Sequence, residues 1–228
     1  MHRLIPRGYA PTRLPDRWTG GPPQTWLAGP APHDPADRHL LDDAERVRAA
    51  EYARAEDREA YVASHAALRR LLGAYLGVPA AAVSLTRAPC PTCGGPHGRP
   101  TVTGAPLHYS LSRSAGLTLL AFASTEVGAD VEERAPATTA ETVGTTLHPR
   151  EHQELAALPR HSRPTAFTRC WTRKEAYLKA TGTGLSEPPS HTYVSTHHHP
   201  AHPTGWRTMD VRMPKGFAGA CVVRVGRG

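Results

Sequence analysis

Residues 171–185 read WTRKEAYLKATGTGL. Trp171, Lys174, Glu175, Leu178 and Lys179 recur at three- and four-residue spacings, which predicts a helix with these side chains on one face. Gly182 and Gly184 stop the pattern, since glycine just past the last periodic residue is the common C-terminal end of a helix. The spacing thus sets one carboxylate and two lysines together. Taken alone, Glu175 and Lys179 amount to a surface i,i+4 ion pair of about 0.2–0.5 kcal/mol.

A second stretch changes that reading. Val127–Glu132, VGADVE, alternates as a strand does, with Val127, Ala129 and Val131 on one face and Asp130 and Glu132 on the other. Two carboxylates side by side repel unless a cation or water separates them, and paired oxygen ligands suit Mg²⁺. With Glu175 as a third, they compose a hard-metal site.

The remaining chain frames these two stretches. Its 228 residues suit two lobes sharing a core, and 23 prolines with 20 glycines imply much loop. The formal charge of +7 favours polyanionic partners, phosphates or acidic proteins. No apolar run is long enough to span a bilayer, and the N-terminus lacks the apolar core of a signal peptide, so a cytoplasmic protein with no membrane partner is expected. Cysteines 90, 93, 170 and 221 are too few and scattered for a disulfide scaffold.

Residues 1–23 read as an extended arm, and Gln24–Ala28 as a first strand. Helices are expected over Leu40–Tyr52, with Leu41, Ala44 and Val47 inward, and from an Asp57 cap to Gly77, with Tyr61, Leu68, Leu71, Leu72 and Tyr75 as the apolar stripe. The arginines at 46, 48, 54, 58, 69 and 70 read mostly as solvated. Leu107–Ser114 is a strand running into a turn whose serines can cradle an anion. Leu117–Ala123 and Val127–Glu132 read as a hairpin. Leu147–Leu158 is a short helix with Pro149 in its first turn, a longer helix starts near Ser162, and strands are expected at Val194, Trp206–Val211 and Ala220–Val225. Cys90–Pro100, CPTCGGPHGRP, has the outline of half a zinc site, with His108 or His152 as further ligand candidates; the simpler reading is a stiff loop with free thiols. His197, His198, His199 and His202 read as a polar loop.

The GADVE of 128–132 and the WTRKEAYLKATGTG of 171–184 resemble the GxDxE and WxxKExxxKxxGxG motifs of 4′-phosphopantetheinyl transferases of the surfactin-synthetase-activating class. Gly98-Arg99-Pro100 and Tyr109–Ser114 resemble that family's GKP and FNLSHS motifs. The resemblance implies an α+β fold of two similar lobes related by a pseudo-twofold, each a small antiparallel sheet packed with helices, divided as 24–124 and 125–228. Coenzyme A would lie at the lobe junction. It implies Mg²⁺-dependent (or Mn²⁺-dependent) transfer of phosphopantetheine from coenzyme A to a serine of an acyl or peptidyl carrier protein, with adenosine 3′,5′-bisphosphate released, by a monomer that uses no nucleic acid. By position, Asp130, Glu132 and Glu175 match the metal ligands and Lys179 the pyrophosphate contact. Glu151 matches the proposed general base, and Lys174 the motif's other basic residue. Arg99, Ser112 and Arg113 match phosphate contacts, and Arg46, Arg48 and Arg58 are candidates for further ones.

Three positions depart from the pattern. Arg113 replaces a histidine, which keeps phosphate attraction but removes a group titrating near neutrality. Arg99 replaces lysine, and Ala129 a larger apolar residue, which predicts slight underpacking. Two other readings fit part of the chain: a basic nucleic-acid binder, disfavoured by 6% aromatic residues and no recognition motif, and an interaction module stabilised by zinc at CPTCGGPH.

Overall fold

The computed structural model describes residues 2–4, 14–29 and 34–225. In chain order its elements are β1 (His2–Leu4), β2 (Gln24–Ala28), α1 (Asp43–Ala50), α2 (Ala55–Leu76), β3 (Leu85–Arg87), β4 (Pro100–Val102), β5 (His108–Ser114), β6 (Leu117–Ala123) and β7 (Val127–Glu133). There follow α3 (Ala137–Val143), α4 (Pro149–Ala157), α5 (Arg163–Thr181), β8 (Trp206–Asp210) and β9 (Phe217–Arg224). No helix among the described residues is long and apolar enough to cross a membrane.

Strand β6 explains the layering. All seven of its residues are buried, because each face meets a different core. Leu120 and Phe122 pack with Leu68, Leu71, Leu72 and Tyr75 of α2, while Leu117, Leu119 and Ala121 pack with Val127, Ala129 and Val131 of β7 and with Cys221 and Val223 of β9. Each large apolar side chain so enclosed contributes about 1.5–3 kcal/mol. The first sheet runs β1-β2-β6-β5 and the second β7-β9-β8, with a separate β3-β4 ribbon. Each main sheet carries one long helix, α2 on the first and α5 on the second. This is the expected α+β arrangement of helices with small, mainly antiparallel sheets; among the described residues only the β1–β2 pairing is parallel.

Several local expectations are corrected. β6 and β7 do not form a hairpin. The two-residue turn at Ala115 and Gly116, with φ of 44° and 79°, instead folds β5 onto β6 with Ser114 opposite Leu117, and two consecutive positive φ values suit a tight hairpin turn. Helix α1 starts three residues late behind an Asp42–Glu45 capping box, so its apolar stripe rotates: Leu41 and Ala49 are buried, but Ala44 and Val47 are exposed. Arg69 is not solvated. It is fully buried and paired with Asp42 at 2.5 Å and Glu45 at 2.6 Å. Val194 is buried in coil, held there by its own amide rather than by a strand. Ala129 is completely enclosed among apolar residues of β6, β7 and β9.

The arm is docked where it is described. β1 lies in register with β2, and Trp18 stacks edge-on against Tyr75 at 5.3 Å. The rest of the arm, Met1 and residues 5–13, lies outside the described residues.

Candidate active site

The site begins with a glycine. A Cβ on Gly128 would stand 2.0 Å from the Ala176 carbonyl oxygen and 2.4 Å from the Ala180 amide nitrogen. Only a residue without a side chain lets α5 lie this closely on β7. That approach brings Glu175 and Lys179 over Asp130 and Glu132.

Strand β7 is fastened to β5 by side chains. Ser110 Oγ accepts from the Ala129 amide at 3.0 Å, Ser112 Oγ donates to Asp130 Oδ1 at 2.7 Å, and Ser114 Oγ donates to Glu132 Oε2 at 3.0 Å. Alternate residues of a strand share a face, so three serines at 110, 112 and 114 form one row. They join the two sheets and orient the two carboxylates, and Ser112 and Ser114 also line a cleft. Sequence alone shows the row but not the strand it faces.

Lys179 Nζ lies 2.6 Å from Asp130 Oδ1 and donates to Ser112 Oγ at 2.9 Å. Asp130 Oδ2 is buried without a hydrogen-bond partner. Above this group opens a cleft of about 460 Å³ lined by Tyr52, Asp57, Ser112, Arg113, Ser114 and Lys179, among others. Arg113 donates to the Tyr52 hydroxyl at 2.9 Å and lies 5.2 Å from the centre of the Tyr61 ring. Its guanidinium is thereby held at the cleft rather than free to sweep. Tyr52 was missed from sequence, since an isolated tyrosine after a helix carries no signal of its own.

All three acidic side chains are held above the ordinary carboxylate range. Burial raises Asp130, against the opposing pull of Lys179 and Ser112. Burial and then the charge of Asp130 raise Glu132 and Glu175. Three crowded carboxylates, one with an orphaned buried oxygen, face a single close lysine, and this surplus of hard oxygen donors fits a divalent cation such as Mg²⁺. The oxygens are not gathered into a tight cage: among the described residues, only Cys90, Cys93 and His97 bring three ligand atoms within 4.8 Å of one another.

Other candidates stand elsewhere. Glu151 and Lys174 are not in the cleft; Lys174 projects to the opposite side of α5, so the two lysines do not share a face. Glu151 is fully buried, accepting from Lys174 Nζ at 2.7 Å and from the amides of His148 at 3.0 Å and Val194 at 2.7 Å. With both oxygens occupied and no exposure, it cannot reach a serine on another protein, which corrects its reading as general base. Lys174 also donates to the Thr192 carbonyl at 2.5 Å and serves the same internal network. Arg46 turns outward to Asp43 at 2.6 Å, so it is not a cleft residue. Arg48 pairs with Glu51 at 2.5 Å and reaches the cleft only indirectly, 5.6 Å from the centre of the Tyr52 ring. Arg58 is half-buried beside the cleft residue Asp57. Arg99 packs against Gly182 at the end of α5 and lies 3.4 Å from Glu126, its Nε buried without a partner. His108 lies between Arg99 and Glu126 and is shifted down by burial and then by Arg99; neither it nor His152 joins the cysteine cluster.

Comparison with known proteins gives the class of the chain. The family profile of the 4′-phosphopantetheinyl transferase superfamily matches residues 126–209. The chain is 32% identical over 188 residues to the 4′-phosphopantetheinyl transferase HetI of Nostoc sp., a match covering 76% of this chain and 78% of that protein. It is 28% identical over 102 residues to the 4′-phosphopantetheinyl transferase Sfp of Bacillus subtilis, covering 44% of this chain and 45% of that one. The chain therefore belongs to the 4′-phosphopantetheinyl transferase superfamily, and it is an enzyme.

Proposed function

We propose that this enzyme moves the 4′-phosphopantetheine group of coenzyme A onto a serine of an acyl or peptidyl carrier protein, with adenosine 3′,5′-bisphosphate leaving, and that within its superfamily it is of the surfactin-synthetase-activating class. The observation that carries the reading is the constellation of Lys179, Ser112 and Asp130 at the foot of a cleft edged by Arg113. Its chemistry is that of pyrophosphate binding beside a metal: a cation for the phosphate oxygens, and acidic residues to hold a second cation.

Asp130, Glu132 and Glu175 would hold Mg²⁺, and Mn²⁺ suits the same oxygens. When bound, the ion supplies charge neutralisation for the pyrophosphate and its leaving group. Lys179 then exchanges its hold on Asp130 for the phosphate, which loses it no ionic partner. Arg113 offers a planar guanidinium to a second phosphate group; Arg58, next to the lining residue Asp57, and Arg99, beside Gly182 at the end of α5, are further candidates. The acceptor for the serine proton is a cleft carboxylate or a water that one orients, since Glu151 is enclosed.

One chain supplies β5 and β7 from the two sheets and α5 across them, which supports a monomer built of lobes 24–124 and 125–228 and an arm, 1–23. The low apolar content and absence of a crossing helix among the described residues are compatible with a cytoplasmic enzyme. Incubated with coenzyme A, Mg²⁺ and an apo carrier protein, the enzyme should increase the carrier's mass by one phosphopantetheine. No mass gain on any of a panel of acyl and peptidyl carriers would overturn the reading.

A further inference from the structure

The Cys90–Gly98 loop was left unexplained by the transferase chemistry. It caps the β3–β4 ribbon, three residues per strand and hydrogen-bonded to neither main sheet. An isolated two-stranded ribbon is marginal in water, and of the loop's side chains only that of Cys90 is buried. Yet the loop is folded back on itself. Cys90 N donates to the Gly95 carbonyl at 2.7 Å, Gly94 N to the Cys90 carbonyl at 2.8 Å and His97 N to the Gly95 carbonyl at 2.9 Å, with Gly94 at φ 70°. The turn directs three metal-ligand types to one point: Cys90 Sγ, Cys93 Sγ and a His97 ring nitrogen all lie within 4.8 Å of one another, Cys93 Sγ and His97 Nε2 at 3.0 Å.

The geometry points to a zinc site in which Cys90, Cys93 and His97 supply three ligands and water the fourth, clipping the tip of the β3–β4 ribbon. Two thiolates with one imidazole form a borderline-soft donor set that suits tetrahedral Zn²⁺. The edges of such a tetrahedron are about 3.5–3.8 Å, so only a small rotation of the Cys93 or His97 side chain is needed to admit the ion. Cys93 and His97 are exposed, which leaves the fourth position to solvent.

The clip has a second consequence, which rests on the transferase reading. Its loop leads directly into Arg99: Ala88 N donates to the Arg99 carbonyl at 2.9 Å, Gly98 N to the Ala88 carbonyl at 3.1 Å, and a Cβ on Gly98 would meet that carbonyl oxygen at 2.4 Å. The loop also touches the segment after α5, through Thr92 Oγ1 and Ser186 Oγ at 3.3 Å. Zinc would thus make Arg99 a preset phosphate contact, with Cys90, Cys93 and His97 acting as positioning residues.

The test uses the untagged full chain. Elemental analysis after dialysis should find one zinc per chain, and Co²⁺ added to zinc-free protein should give the charge-transfer absorption of a thiolate complex. Cys93→Ser and His97→Ala should each weaken Co²⁺ binding by about tenfold or more, whereas His198→Ala, in the other histidine cluster, should not. A zinc-selective chelator, with Mg²⁺ kept in excess, should speed hydrogen exchange of amides 90–99 and raise KM for coenzyme A several-fold with kcat retained. Absence of the thiolate band, or Cys93→Ser and His97→Ala variants that bind like the wild type, would overturn the site. A zinc whose removal leaves both loop exchange and KM unmoved would overturn the clip. Because zinc content and the cobalt spectrum need no carrier protein, failure of the site and failure of the transferase reading are told apart.

Discussion

Helix α5 carries two lysine–carboxylate pairs, and they have opposite characters. Lys174 and Glu151 are sealed: each is buried, their 2.7 Å contact is supplemented by two amides and a carbonyl, and neither faces solvent. Lys179 and Asp130 are as close, at 2.6 Å, but the lysine side chain is 33% exposed, Asp130 keeps an unpartnered oxygen, and Glu132 and Glu175 crowd in without cations of their own. A satisfied buried pair fixes α4 and the 192–194 segment against α5. An unsatisfied one, beside a cleft, has unspent capacity to bind something charged. The difference separates the structural lysine of this helix from the one suited to ligand binding.

The sharpest way to break this contrast is to remove charge from each side separately. Glu175→Gln should lower carrier loading by about a thousandfold or more, the scale expected when a metal's charge stabilisation is lost, while its urea midpoint falls no lower than that of the wild type. Lys174→Met should do the reverse. It leaves Glu151 buried and unpaired, a loss of roughly 3–5 kcal/mol in urea denaturation, with kcat per folded molecule largely retained. Adding Glu151→Gln should recover part of that stability. If Lys174→Met kept full stability but lost turnover, the sealed pair would have to be moved into the active site.

Gly128→Ala sharpens the comparison by disturbing both pairs through one contact. A methyl group 2.0 Å from the Ala176 carbonyl oxygen must push α5 off β7, at about 1–3 kcal/mol. Loading should also fall, because Glu175 and Lys179 move with the helix, and both losses should be smaller than those of the charge variants. Wild-type stability in this variant would show that α5 does not depend on the close approach.

Much of this arrangement was legible in sequence. The periodicity of 171–179 gave α5 and the stop at Gly182, whose φ is 78°, and the alternation of 127–132 gave the shared face of Asp130 and Glu132. The illegible part is what a one-dimensional pattern cannot hold. Grouping Lys174 with Lys179 overlooked that five residues place them about 140° apart on a helix, and the position of α4 then gives Lys174 its partner, Glu151. The hairpin was misassigned because β6 and β7 are both apolar and adjacent in sequence, whereas their separation into two sheets depends on β9 and on the tight turn at 115–116. The serine row was visible as residues but meaningless until β7 lay beside β5. Arg69 looked like any surface arginine, since burial of a charge depends on partners 24 and 27 residues away.

The smallest expected effect lies in the pH dependence of the open pair. Asp130, Glu132 and Glu175 have folded-state pKa values raised mainly by burial. Between the ordinary carboxylate value and the raised one, the folded protein therefore holds protons that the unfolded chain has released. Stability must fall as pH rises through that window, because folding there favours the protonated form. Asp130→Asn deletes one of these groups and removes the charge that helps raise the other two. Metal-free wild type should thus lose more stability than Asp130→Asn as pH rises above the ordinary carboxylate value, read as the shift in urea midpoint on a common buffer series. Divalent metal should narrow the gap, since it binds the deprotonated carboxylates and favours the folded state at the upper end of the range. An Asp130→Asn slope as steep as the wild type's, with or without metal, would mean that the three carboxylates are not strained against one another, and the distinction between the sealed and the open pair would reduce to exposure alone.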